Sequence, residues 1–578
     1  MPLQLILLVP IVGILACTFI WYTAKPKPIP GIPYNPASAD RLLGDIPDSL
    51  AHLAETSELW SFFEQRCREL GSPIIQVFMR PFSKPWVILV DCRESHDIMT
   101  QRGREFDRSG FMKKMFAPIF PKNQICMPTH DQWRYNRLLM RELMSPPFLD
   151  GVAAPLIHST TLDLISVWRH KARLARGHAF EASRDVQFAT LDTICSVAFG
   201  ARVGITTSQE DNLNKLTQLD LPDSLDHVAS IPETTLPEAW GALLATVTSG
   251  EIAMNSPLGS WHLAFAIKFY PRLRRAFAFR NKLINDGLHH ARQRVSHTNP
   301  QDEEVPEVKC AAEWVVERAS KLAEKDGEGK KNLPDHQVLF DELAGFLQAG
   351  FDTTSSTIHW GLKYLTGYQN VQQKLRTSLL DAFCEARQAG RQPTAKEICK
   401  TSIPYLDAFI EESLRHSCVI SVNMRVAIRD ADVLGYVVPR GTDVYMLTNG
   451  PSILRPAMPI DENKRSHSSR EYKSSADSWN SENLDQYNPD RWLIEEEEGE
   501  NGGKVVKFNS RAAPMQNFGS GVRACYGKKL AYQNLRIIYV LIVWNFILDP
   551  LPEALEEWKA TDGMTHLPQH VRLILREV

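Results

Sequence analysis

Fourteen residues, Phe518 to Ala531, narrow what this chain can fold into more than any other stretch: Phe-Gly-Ser-Gly-Val-Arg-Ala-Cys-Tyr-Gly-Lys-Lys-Leu-Ala. Gly519 and Gly521 permit backbone conformations that other residues avoid, so a tight loop is expected. Cys525 ends that loop. The apolar run Leu530, Ala531, Leu535, Ile537 and Ile538 then continues as a helix. A cysteine at a helix N-terminus has its thiolate favoured by the dipole and the free N–H groups. Arg523, two residues earlier, adds a nearby cation. Such a thiolate is suited to ligating a metal; the plainer alternative is a glycine-rich turn with an idle buried thiol.

The pattern fixes eight positions, Phe518, Gly519, Gly521, Arg523, Cys525, Gly527, Leu530 and Ala531. It resembles the haem-binding signature of the cytochrome P-450 superfamily, Phe-x-x-Gly-x-Arg-x-Cys-x-Gly. One departure is Asn534, where that family usually has Glu. The resemblance implies a haem-thiolate monooxygenase with heme b, iron protoporphyrin IX, whose iron takes Cys525 as axial ligand. In that superfamily the thiolate pushes electron density onto iron and favours O–O cleavage, the established case of that effect. Phe518 and Arg523 belong to the expected cofactor-binding loop.

Three further segments occur in the order the resemblance requires. Glu412-Ser-Leu-Arg415 places acid and base on one helix face. Alone it would signify no more than a surface ion pair. With Tyr487-Asn-Pro-Asp-Arg491-Trp492 downstream, the resemblance assigns Glu412, Arg415 and Arg491 to one buried ion network behind the haem. Where the family usually has a proline soon after the first motif, this chain has His416-Ser417-Cys418, a departure expected to alter the pocket lining. Ala349-Gly350-Phe351-Asp352-Thr353-Thr354 lies within a long helical pattern. Thr353 can bond back to the carbonyl of residue 349 and leave a local kink. The resemblance gives Asp352 and Thr353 the delivery of protons to bound dioxygen. Trp133-Arg134-x-x-Arg137 resembles the family's Trp-x-x-x-Arg helix, whose Trp and Arg hold a haem propionate. Arg425 sits where another propionate-binding arginine often occurs; a solvent-facing strand residue is the other reading.

The start of the chain poses a separate question. Leu3 to Tyr22 is almost wholly apolar and uncharged. As a helix it would run about 30 Å, the hydrocarbon thickness of a bilayer. A cleaved signal peptide would begin basic and end in small residues; this stretch begins Met1-Pro2-Leu3-Gln4 and ends in Trp21 and Tyr22. The expectation is a single transmembrane anchor over 1–24. Lys25, Lys27 and Arg41 follow it, which puts the body in the cytosol; the resemblance to eukaryotic microsomal members implies the endoplasmic reticulum as the membrane. Pro26, Pro28, Pro30 and Pro33 make 25–36 a stiff, non-helical spacer. For the remainder, 37–578, the resemblance implies one mainly α domain with a small β-rich lobe.

Within that body Ile74 to Met79 and Trp86 to Val90 read as paired strands, and Val433 to Tyr445 as a hairpin turning at Pro439 and Gly441. Helical patterns cover 335–366, 371–386, 402–416 and 526–546. Asp461 to Asn480 and the acidic run Glu495 to Lys504 read as solvated loops. Region 200–335 carries no motif. A net charge of −3 argues against nucleic acid. Ten cysteines without a Cys-x-x-Cys pair exclude a zinc ribbon. No Gly-x-Gly-x-x-Gly follows a strand, so electrons must come from another protein; the resemblance implies a membrane-bound NADPH–P-450 reductase. Lys528, Lys529, Arg134 and Arg141 offer it a basic docking face. The substrate class is a lipophilic small molecule, with a step of secondary metabolism as the leading setting. A haem-thiolate isomerase, dehydratase or peroxide user, and a non-catalytic membrane haem protein, are the alternatives.

Overall fold

The computed structural model describes residues 18–19, 21–232, 238–256, 258–297, 310–325, 335–472, 482–498 and 503–578. The apolar stretch Leu3 to Tyr22 lies outside them apart from Thr18, Phe19, Trp21 and Tyr22, which are helical. Among the described residues no helix is long and apolar enough to cross a membrane. The proline-rich segment is non-helical through Asn35, and it is stitched to the body. Ile29 and Ile32 are buried. The Gln76 side chain accepts from the Ile29 N–H at 2.7 Å and donates to the Ile29 and Ile32 carbonyls at 2.8 Å. Prolines leave this strip short of backbone donors, so a side-chain amide does the pairing.

The β-rich lobe is built on five strands: β1 (Ile74–Val77), β2 (Trp86–Leu89), β3 (Phe106–Arg108), β4 (Val422–Ala427) and, after a small hairpin, β7 (Asp443–Leu447). Their order is β1-β2-β7-β4-β3, with β2 and β7 parallel and the rest antiparallel. The hairpin expected over Val433 to Tyr445 is therefore corrected. β5 (Ala431–Val433) and β6 (Tyr436–Val438) pair with each other. Their turn is Leu434-Gly435, both at positive φ, the two-residue geometry that suits a right-twisted hairpin. Pro439 and Gly441 merely lead into β7, which joins the large sheet.

The acidic run is also corrected. β8 (Leu493–Glu498) and β9 (Gly503–Phe508) form an antiparallel pair; residues 499–502 of the run lie outside the described residues. Cross-strand pairs, Lys504 with Glu495 at 2.9 Å and Lys507 with Glu496 at 2.8 Å, balance the charge that a solvated-loop reading leaves unpaired. The other polar stretch packs onto the body within its described part, Asp461 to Tyr472: Arg465 grips Asp91 through two nitrogens at 2.7 and 2.9 Å. Its residues 473–480 lie outside the described residues.

Helices make up most of the remainder. α1 (Asp131–Met140), α2 (Ala154–Ala175), α3 (Ser183–Phe199), α4 (Gly250–Asn255) and α5 (Ser260–Phe269) precede the long α6 (His336–Gly367), α7 (Pro404–Ser417) and α8 (Lys528–Asn545). Asp335 caps α6 by accepting from the Gln337 N–H. Leu535 and the whole stretch from Ile537 to Val543 are buried on α8, the mark of a helix surrounded by others rather than laid on a surface. α8 lies close to α6 because Gly361 has no side chain. A Cβ there would come within 2.0 Å of the Tyr539 hydroxyl, which instead reaches past it to the Thr357 carbonyl at 3.0 Å. β10 (Ala560–Asp562) and β11 (His566–Pro568) form a last hairpin whose tip lies against α6.

Candidate active site

The glycine loop is closed by the Cys525 N–H, which donates to the Phe518 carbonyl at 2.8 Å. Gly521, at φ +69°, sits so close to another backbone that a Cβ would lie 2.1 Å from the Met99 carbonyl oxygen; any other residue there would push the loop out of register. Phe518 is half-buried, its ring packed 5.3 Å from that of Tyr532. Cys525 faces a cavity of about 450 Å³. Burial raises the thiol pKa, opposed by the Gly527 N–H and by Arg137 and Lys528. Arg523 donates to the Met127 carbonyl at 2.7 Å and lies 4.5 Å from the Trp133 ring.

Trp133 and Arg137, one turn apart on α1, reach the same cavity. The Arg137 guanidinium lies 5.3 Å from the Trp133 ring and 4.6 Å from that of Tyr526. Arg425 on β4 is buried, so the solvent-facing reading of this residue is excluded. Directly opposite it in register stands Arg108 of β3. Four guanidiniums, Arg108, Arg137, Arg425 and Arg523, thus share one wall. Burial drives Arg108 and Arg425 down to about 10 and Arg523 to about 9, and the cations act on one another. Asp107 is one carboxylate among them, held below its usual range, against burial, by Thr129 and by the Arg108 N–H; Glu342 is another, acting on Arg137. Arg108 Nε and Arg523 Nε and Nη1 are buried with no hydrogen-bond partner among the described residues. Buried charge in such excess calls for anions.

Across the cavity runs α6. Thr353 donates to the Ala349 carbonyl at 2.7 Å, the expected back-bond, yet the helix continues unbroken to Gly367. Asp352 accepts from Thr565 at 3.2 Å, and burial lifts its pKa to about 6.

The cytochrome P450 family profile matches residues 49–452 and 477–572. The chain belongs to the cytochrome P450 family. It is 40% identical to the cytochrome P450 monooxygenase GME11363 of Pestalotiopsis microspora over 97% of this chain and 96% of that one. With the cytochrome P450 monooxygenase TRI13 of Fusarium sporotrichioides the identity is 33%, over 98% of each. The crystal structure of the cytochrome P450DA heme domain aligns with a TM-score of 0.65 at 17% identity, covering 96% of this chain and 98% of that one. The protein is thus a haem monooxygenase of fungal type. The cavity suits the cofactor: a thiol on one wall answers the iron, and unpartnered guanidinium N–H groups answer two propionates.

Behind the loop of this P450, Glu412, Arg415 and Arg491 come together. Arg415 donates to both Glu412 oxygens at 2.9 Å, and Arg491 to Oε1 at 3.0 Å. The Asn488 N–H and the Trp492 indole complete the set at 2.9 and 2.8 Å. Burial alone would raise the Glu412 pKa; Arg415 and His416 hold it far below the usual carboxylate range. Asn517, just before Phe518, donates to the Leu414 carbonyl of α7, so the network helix is tied to the cysteine loop. His416 joins this network, 3.5 Å from Glu412, and Val419 to Arg425 form the cavity wall instead. The departure at 416–418 therefore bears on the ion network more than on the lining. Sequence reasoning missed Arg108 and Thr565. Neither lies in a motif; strand register and hairpin docking bring them in.

Proposed function

We propose that this P450 inserts one atom of dioxygen into a lipophilic small molecule in a secondary-metabolic step, with Cys525 as the residue that would ligate the haem iron. One observation carries the reading: a single cavity meets the Cys525 thiol, the four guanidiniums, and Asp352 and Thr353 of α6. Bound haem with a thiolate ligand supplies dioxygen activation and oxygen-atom transfer. Arg108, Arg137, Arg425 and Arg523 would bind its propionates, with the Trp133 ring against two of those guanidiniums, Arg137 and Arg523. Asp352, raised to about 6, exchanges a proton near neutral pH. Thr353 gives its own proton to Ala349, which leaves its oxygen free to accept one from water. Phe111, Phe116, Phe120, Phe346, Met112 and Met254 line the chamber. They exclude water, and the methionines adapt to an irregular apolar guest. The secondary-metabolic setting leans on the fungal relatives.

Electrons come from an NADPH–cytochrome P450 reductase. Exposed Lys528, Lys529 and Arg141 support its docking on the cysteine side; Arg134 is exposed but paired with Asp131 at 2.6 Å. Membrane association, with the catalytic body on the cytosolic face of the endoplasmic reticulum, is supported by the apolar start and by exposed Trp21 and Tyr22. Exposed Trp261, Phe265 and Phe269 on α5 point the same way. The deciding test is the absorption spectrum of the reduced, CO-bound holoenzyme. A strongly red-shifted Soret band is expected; a histidine-type band ends the reading.

A further inference from the structure

Asp352, Ser356 and Trp360 stand at i, i+4 and i+8 on α6, one stripe along the helix. Each is met by the tip of the β10–β11 hairpin. Thr565, 3% exposed, places its hydroxyl 3.2 Å from Asp352 Oδ2 and 2.8 Å from the Ser356 hydroxyl. The Trp360 indole donates to the His566 carbonyl at 3.1 Å. On its far side the tip is held by Glu251 of α4, whose carboxylate accepts from the Met564 N–H. The His566 N–H donates to the Val419 carbonyl at 2.9 Å. Gly563, Met564 and Thr565 themselves face the cavity.

We propose that Thr565 is a positioning residue, which fixes the Asp352 carboxylate by hydrogen bond and ties its protonation to the seating of the hairpin tip beside the substrate. This rests on the proton-delivery reading of Asp352. The physical content is a shared proton. Ser356 gives its own hydrogen to the Asp352 carbonyl at 2.8 Å, so its oxygen is open to accept. Thr565 has one hydrogen and two takers, the Ser356 oxygen and the Asp352 carboxylate. Donation to the carboxylate stabilises the ionised acid; donation to Ser356 leaves room for the acid to keep its proton. A substrate pressing on the tip shifts Thr565 between them. The charged groups around Asp352 are few. Glu251 of α4 raises its pKa, while on the hairpin Asp562 and His566 pair with each other at 2.7 Å. Thr565 opposes both burial and Glu251.

The test needs no known substrate. In the ferric holoenzyme the carbonyl stretch of protonated Asp352 is followed by infrared difference spectroscopy against Asp352→Asn. Thr565→Val should raise the midpoint by about one pH unit, the scale of one hydrogen bond to a charged group. Thr565→Ser should restore it. Ser356→Ala removes the competing acceptor and should lower the midpoint, a shift of opposite sign that a general loosening of the fold would not produce. An unchanged haem spectrum confirms folding in each variant. The pH profile of reductase-driven NADPH consumption, with oxygen as sole acceptor, should move with the infrared midpoint. Wild-type midpoints in both Thr565→Val and Ser356→Ala overturn the inference. If the midpoints shift but Asp352→Asn leaves the NADPH profile unaltered, Thr565 still positions the acid and the proton-delivery reading is what fails.

Discussion

The Trp492 indole N–H donates to Glu412 Oε2 at 2.8 Å, and both residues are 0% exposed. The carboxylate is thereby surrounded by donors, with Arg415 and Arg491 on its other lone pairs. A phenyl ring in the same place would fill most of the volume and donate nothing.

Trp492→Phe should therefore lower unfolding stability by about 2–3 kcal/mol, the cost of one hydrogen bond to a buried charge plus lost packing. Glu412→Gln should cost about 3–5 kcal/mol, because two guanidiniums are left buried without their anion. The pH dependence has a definite sign. The folded Glu412 pKa is depressed, so its contribution is complete above the ordinary carboxylate range and is lost as pH falls through and below it. Acid unfolding monitored by circular dichroism should show this loss in the wild type and not in Glu412→Gln.

Cys525→Ala should abolish the thiolate-type CO spectrum and all turnover. Cys525→Ser should keep some haem yet lose monooxygenation, because an alkoxide or water replaces a soft thiolate poorly. Normal turnover in either variant would contradict axial ligation by this residue.

Arg108 has no motif to recommend it and a clear geometric case. Arg108→Met should speed haem loss to apomyoglobin by about tenfold, the worth of one charge-assisted bond. An exchange rate equal to wild type would remove Arg108 from the propionate site.

Thr353→Ala should leave the haem spectrum intact and divert reducing equivalents to hydrogen peroxide, read as peroxide formed per NADPH consumed. Thr353→Ser should recover coupling. Equal peroxide yields in all three proteins would reduce Thr353 to its back-bond with Ala349.

Reversing Lys528, Lys529 and Arg141 to Glu should slow reduction by the reductase and flatten its dependence on salt, with the haem spectrum unchanged. Stopped-flow reduction across ionic strengths measures this. Parent-like rates and salt dependence would move the docking site elsewhere.

The cysteine loop, the Glu412–Arg415 pair and the Asp352-Thr353 step were readable in the chain because each is a short-range constraint. A positive-φ glycine, an i,i+3 ion pair and an i−4 back-bond all need only neighbours in sequence. From the sequence alone came also the long helices, through their periodicity, and the likeness that names the family. Tertiary structure decided the rest. It set Arg108 against Arg425 by strand register, a pairing more than three hundred residues apart that no local pattern encodes. It set the Arg523 guanidinium over the Trp133 ring. It split the expected Val433–Tyr445 hairpin, since a parallel partner for β7 exists only once β2 has been placed. It joined the acidic run into a strand pair, since like charges along one strand are tolerable when lysines stand across from them. And it carried Thr565 across more than two hundred residues to Asp352, because a hydroxyl's partner is fixed by which surfaces pack together, and packing is a property of the whole chain.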